Sequence, residues 1–221
     1  MNKIKILYDV FKTMKSKEVF NGTLTAEAVK GQKKVFSIDN TFEKNNKTGF
    51  KKVTTNSEVD CEGKKIKLQN SLEFQGDECK GHMCFMKHLH AHHNGNSGVK
   101  DCFGKITFAL GVLNSIKVLE QEDKSVILSL QHADMSEDLK AAFCEHMKEC
   151  CDNHKCMDEE NCKHKFMKEF HGVEKTDFNF KVFVNSKSEI EKISIEVDGV
   201  KKDENNENCD VKLFAEANFN W

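Results

Sequence analysis

The sequence predicts an α+β fold, with a curved antiparallel sheet, an N-terminal helix and a Cys/His-rich helical insert packed on one face. Three observations predict it. The first residues carry apolar side chains at helical spacing. Apolar and polar residues then alternate in two blocks, one before residue 75 and one after residue 176. Between the blocks the soft ligands Cys, His and Met are concentrated.

Ile4, Leu7, Val10, Phe11 and Met14 fall at i, i+3, i+6, i+7 and i+10, so residues 3–16 are expected to form a helix with one apolar stripe. The period then drops to two. Asn21–Val29, Val35–Phe42, Lys51–Val59 and Lys64–Phe74 read as strands, separated by the turn formers Gly31-Gln32, Asn45-Asn46 and Glu62-Gly63. Short polar links between sequential strands predict a meander.

Residues 79–114 return to helix-like spacing, broken by the loop Asn94–Gly98. Ser115–Gln121 and Lys124–Gln131 read as a hairpin turning at Glu122-Asp123. Asp134 or Ser136 can cap the next helix, whose stripe is Leu139, Ala142, Phe143, Met147 and Cys150. A further helix is expected from Asp158, with Cys162, Phe166, Met167 and Phe170 on its apolar face and Gly172 at its end. Asp177–Val184, Glu189–Val197 and Val211–Phe219 close the chain as strands, the last two joined by the polar loop Asp203–Asn208. The result is one domain, 1–221. Its parts are helix plus meander (1–78), the helical insert (79–114), hairpin plus two helices (115–172) and C-terminal strands (173–221), with the first and last parts building one sheet.

Composition narrows the function. The 34 basic residues are all Lys and face 36 acidic ones, for a net charge of -2. That balance lacks the basic footprint of a nucleic-acid partner. The absence of Arg removes bidentate clamps on phosphate or carboxylate. No stretch is apolar enough for a transmembrane segment. The start, MNKIKILYDVFKTMKSKE, has no apolar core of a signal peptide. A native Met1 implies a cytoplasmic protein, and a removed signal implies an extracytoplasmic or cell-surface one. None of the 12 glycines forms a phosphate loop, a nucleophile elbow or a dinucleotide fingerprint, so no enzyme is expected.

The tail segments Thr176–Asn185, Glu189–Asp198 and Asp210–Asn220 give an alternating strand, a strand opening Glu-Ile-Glu-Lys-Ile, and a last strand ending in Phe-Asn. Together with the N-terminal helix and the Glu18–Phe74 meander, this resembles small lipoproteins of low-GC bacteria, which are similar to the lipoprotein-carrier superfamily (LolA/LppX-like). The resemblance implies a half-barrel-like sheet of about seven to nine strands, with helices on its concave face and often an apolar ligand or lipid inside. The chain departs from the pattern by having no lipobox Cys near its start and by the density of Cys and His in residues 79–171.

That density carries the leading expectation. Of 28 Cys, His and Met residues, 24 lie within those 93 positions. Cys84, His88 and His92 sit at i, i+4 and i+8, and His146, Cys150 and His154 repeat the spacing. On a helix, i and i+4 share a face, so each pair can chelate one ion. Cys151, Cys156, Cys162 and His164 surround the second triplet. Imidazole with thiolate suits zinc, and Cys with Met also suits copper. Two facing helices giving two or three ligands each would complete a four-coordinate site.

Blander readings stand beside this one. Met83, Met86, Met147 and Met167 have core spacing, and Cys150 and Cys162 lie on apolar stripes as buried thiols would. A disulfide reading joins Cys79 or Cys84 to Cys144, Cys151 or Cys156, and Cys61 to Cys209 if their strands are neighbours. Three functions therefore remain: a zinc- or copper-binding protein, a carrier of an apolar ligand between sheet and helices, and a disulfide-linked surface or coat component.

Overall fold

A computed structural model describes the backbone of residues 2–61, 63–75, 108–141, 174–202 and 207–221. Helix α1 spans Lys3–Ser16. A four-strand meander follows: β1 Val19–Lys30, β2 Lys33–Asn45, β3 Lys51–Cys61 and β4 Lys64–Phe74. Residues 108–115 are helical. Then come β5 Lys117–Glu120, β6 Val126–Gln131, the 3₁₀ turn His132–Asp134, and a helical stretch at 137–141. β7 Glu174–Val184, β8 Ile190–Lys202 and β9 Asn208–Asn220 complete the chain. The nine strands form one antiparallel sheet in the order β4-β3-β2-β1-β9-β8-β7-β6-β5.

The expected α+β, sheet-dominated fold is observed, and the first and last parts do build one sheet, joined where β1 pairs with β9. Among the described residues the row stays open and uncurled, with β4 and β5 as its two edges. No helix among the described residues is long and apolar enough to cross a membrane. The expected helices within 79–107 and 142–172, and most of the loop after β8, lie outside the described residues.

Local chemistry explains the hairpins. The two-residue turn between β1 and β2 places Gly31 at φ +59°, and Gly63 at φ +85° serves the turn between β3 and β4. Asn45 Oδ1 accepts from the Lys47 and Thr48 amides, forming an Asx turn between β2 and β3. Asn185 does the same for Lys187 and Glu189 between β7 and β8. Ser115 closes the helical stretch rather than opening β5. Its hydroxyl donates to the Gly111 carbonyl at 3.0 Å, a back-bond available to a helical serine.

Partners in register share a face, which divides the sheet cleanly. One face carries Leu24, Ile38, Val53 and Leu72 on one side, and Leu213, Ile195, Phe178 and Leu128 on the other. The other face is polar and laced with ion pairs, such as Lys34–Glu27 at 2.6 Å and Lys192–Glu216 at 2.6 Å.

The helices cover the apolar face over the second half of the sheet. Ile6 and Val10 of α1 pack on Val126, Leu128 and Val184, with Leu7 and Met14 beside them. Phe108 and Val112 pack with Met135, Leu139 and Phe178. The α1 stripe is therefore Ile6, Leu7, Val10 and Met14. Ile4 and Phe11, expected in it, are each 64% exposed. The reason is rotation: turning Ile6 inward moves Ile4 and Phe11 about a quarter-turn off the buried meridian at 3.6 residues per turn.

α1 is held at both ends. Asn2 caps its start, its Oδ1 accepting from the Ile4 amide at 3.0 Å. Beyond its end, Lys17 pairs with Glu189. The Lys17 ammonium, followed by the Asn185 side-chain amide, holds the Glu189 carboxyl below the usual carboxylate range.

Candidate functional site

The small core of Met135, Leu139 and Phe178 is the anchor of the candidate site. Its position matters because of what it terminates. Phe108 is the first described residue after segment 76–107. Leu139 lies two residues before the last described residue of the 108–141 stretch. Phe178 lies near the start of β7, where the chain returns from segment 142–173. Two of the four ends of the two soft-ligand segments, near Phe108 and Leu139, thus meet at one place, and the third, at Glu174, lies four residues along β7 from Phe178. The fourth end, at Gln75, follows β4 on the far edge of the sheet.

Local contacts fix that place. Ser136 Oγ accepts from the Leu139 amide at 3.3 Å, so Ser136, one of the two expected caps, starts this helical stretch. The alternative cap, Asp134, instead pairs with Lys117 of β5 at 2.5 Å. A Cβ added to Gly111 would contact Leu139 Cδ1 at 3.5 Å, which shows how closely the two helical stretches approach. His132 stands at the margin. Its Nδ1 is 3.8 Å from Asp177 Oδ1, and its ring centre is 5.7 Å from that of Phe178.

The ten expected ligands, Cys84, His88, His92, His146, Cys150, Cys151, His154, Cys156, Cys162 and His164, all lie outside the described residues. Among the described residues no three His, Cys, Asp or Glu side chains are grouped to hold a metal ion. His132 is the one histidine among them. Cys209 is a free thiol, with its Sγ 3.8 Å from the Asp210 carbonyl. Cys61 ends β3 and Cys209 sits in β9, so β2 and β1 lie between them. At about 4.8 Å per strand that is about 14 Å, too far for a disulfide. The condition for a Cys61–Cys209 link, that their strands be neighbours, is therefore not met.

An aromatic group that no sequence motif singles out lies at the β1–β9 seam. Phe219 stacks on Trp221 with centres 5.7 Å apart, and Phe42 meets Phe219 edge-on at 5.8 Å. The Lys17 ammonium lies 4.9 Å above the Trp221 ring, whose Nε1 donates to the Ile190 carbonyl at 2.8 Å. The aromatic residues Phe219 and Trp221 at alternate positions, and the facing Gly22, were the available signals. This group ties α1, β1 and β9 together.

No family model matches the chain, and no curated protein matches it. Among solved structures, an N-terminal dehydratase from a difficidin assembly line is similar at 12% identity, over 99% of this chain and 85% of that one, with a TM-score of 0.16. A similarity of that size carries no argument about fold or activity.

Proposed function

We propose that the chain is a non-enzymatic binding protein that takes up zinc or copper through the Cys/His-rich region 79–171, using the sheet as a scaffold. The observation that carries this reading is the packing of Phe108 and Leu139, each near one end of a different soft-ligand segment, with Phe178 of β7. A four-coordinate site needs ligands from chain segments held near one another. Cys84, His88 and His92 belong to one segment, and His146, Cys150 and His154 to the other. Anchoring both segments on the same small core supports a site shared between them.

Elemental analysis of the full chain, purified without a metal column or His-tag, tests the proposal. The expected result is about one equivalent of zinc or copper, with a lower Tm after chelation. Less than about 0.2 equivalents of any transition metal, with an unchanged Tm, would overturn it.

A second reading is favoured by a separate observation. On the apolar face at the β4 edge, Leu68 and Leu72 are each 45% exposed. Such a face suits an apolar ligand or lipid, as in a carrier. Native mass spectrometry showing a co-purified lipid would favour it over metal binding.

A further inference from the structure

The β4 edge of the sheet is long, regular and self-complementary. β4 runs 11 residues without proline, and its register with β3 is unbroken from Lys51↔Phe74 to Cys61↔Lys64. Among the described residues it pairs only with β3, so its outer amides and carbonyls form an open template. The opposite edge, β5, has four residues.

We propose that β4 docks antiparallel against β4 of a second copy, with the two-fold axis at Asn70. In an antiparallel ladder the outward-facing residues alternate, so only registers whose paired numbers share parity can form. Among these, centring on Asn70 matches chemistry on both faces. On the apolar face Leu68 meets Leu72 and Ile66 meets Phe74, covering the two exposed leucines. On the polar face Lys67 meets Glu73, and Gln69 meets Ser71. No lysine faces a lysine. Centring on Gln69 instead sets Leu68 against Asn70 and Lys64 against Phe74, and centring on Leu68 sets Lys64 against Leu72. Lys67 keeps its own Glu58 at 3.2 Å, and Glu73 its own Lys52 at 2.5 Å, so each new pair joins two existing ones into a network across the seam. The shortness of β5 closes the assembly at two copies rather than a fibre. About ten backbone hydrogen bonds would form along the seam.

Charge reversal tests the register. Light scattering after size exclusion, with the full reduced chain, is expected to give twice the 25.3 kDa monomer mass. Lys67→Glu and Glu73→Lys each set like charges opposite one another, twice by symmetry. Each is expected to weaken the dimer about tenfold or more in Kd. Mixing the two variants restores opposite charges at both positions and is expected to restore the dimer. A general folding defect would not be rescued by mixing. A wild-type monomer throughout the micromolar range would overturn the proposal. So would a dimer indifferent to both substitutions, or variants whose mixture stays monomeric.

Discussion

On β6, Val126, Leu128 and Ser129 are buried, whereas every residue of β4 except Ile66 and Phe74 is exposed. Val126, Leu128 and Leu130 of β6 lie on the same face of the sheet as Ile66, Leu68 and Leu72 of β4. The difference is cover. Over β6, β7 and β8 lie α1 and the helical stretches at 108–115 and 137–141. β4 has water on most of its surface. The alternation of a strand therefore fixes which face is apolar but not whether anything rests on it.

Substitutions can break this contrast. The largest effect is expected at Phe178, 7% exposed within the anchoring core. Phe178→Ala should cost about 3–5 kcal/mol in urea unfolding, whereas Leu72→Ala should cost within about 0.5 kcal/mol for the monomer. Equal costs would mean that the two halves are equally covered.

The seam between the halves is expected to be next. A Cβ at Gly22 would lie 2.0 Å from the Asn218 carbonyl oxygen, a backbone atom that cannot rotate away. Gly22→Ala should part β1 from β9 and cost about 1–3 kcal/mol. Hydrogen exchange should then rise in both strands before it rises in β6 or β7.

The cover itself gives smaller effects. Asn2→Ala removes the α1 cap and should cost about 1 kcal/mol. Glu189 should add a pH dependence. Its folded pKa lies below the unfolded value of about 4.3, so its contribution is fully present above that pH and is lost as pH falls through the folded pKa. Glu189→Gln should therefore lower Tm most at neutral pH, with the gap to wild type closing in acid.

These contrasts show what the sequence discloses and where it stops. The turns were legible because their chemistry is local: Gly31, Asn45 and Gly63 act within a few residues of themselves. The hairpin at Glu122-Asp123 was legible for the same reason. Asp123 Oδ1 accepts from the Ser125 amide at 2.9 Å. The burial of Ile6 in place of Ile4 and Phe11 was not, because several apolar meridians lie close together on α1 and the sheet selects one. Strand order was also hidden. Cys61 and Cys209 lie beside strands of similar pattern, and only the β1–β9 pairing shows that two strands separate them. For the candidate site, the spacing of Cys84, His88 and His92 and of His146, Cys150 and His154 is local and was readable. The meeting of Phe108, Leu139 and Phe178 is tertiary and was not.

The most direct test of a site shared between the two soft-ligand segments is the metal content of two triple variants of the full chain. One carries Cys84→Ser, His88→Ala and His92→Ala, and the other His146→Ala, Cys150→Ser and His154→Ala. A shared site predicts that the wild type holds about one equivalent of zinc or copper and that either triple variant alone loses most of it. Full retention in either variant, or a metal-free wild type, would contradict the account.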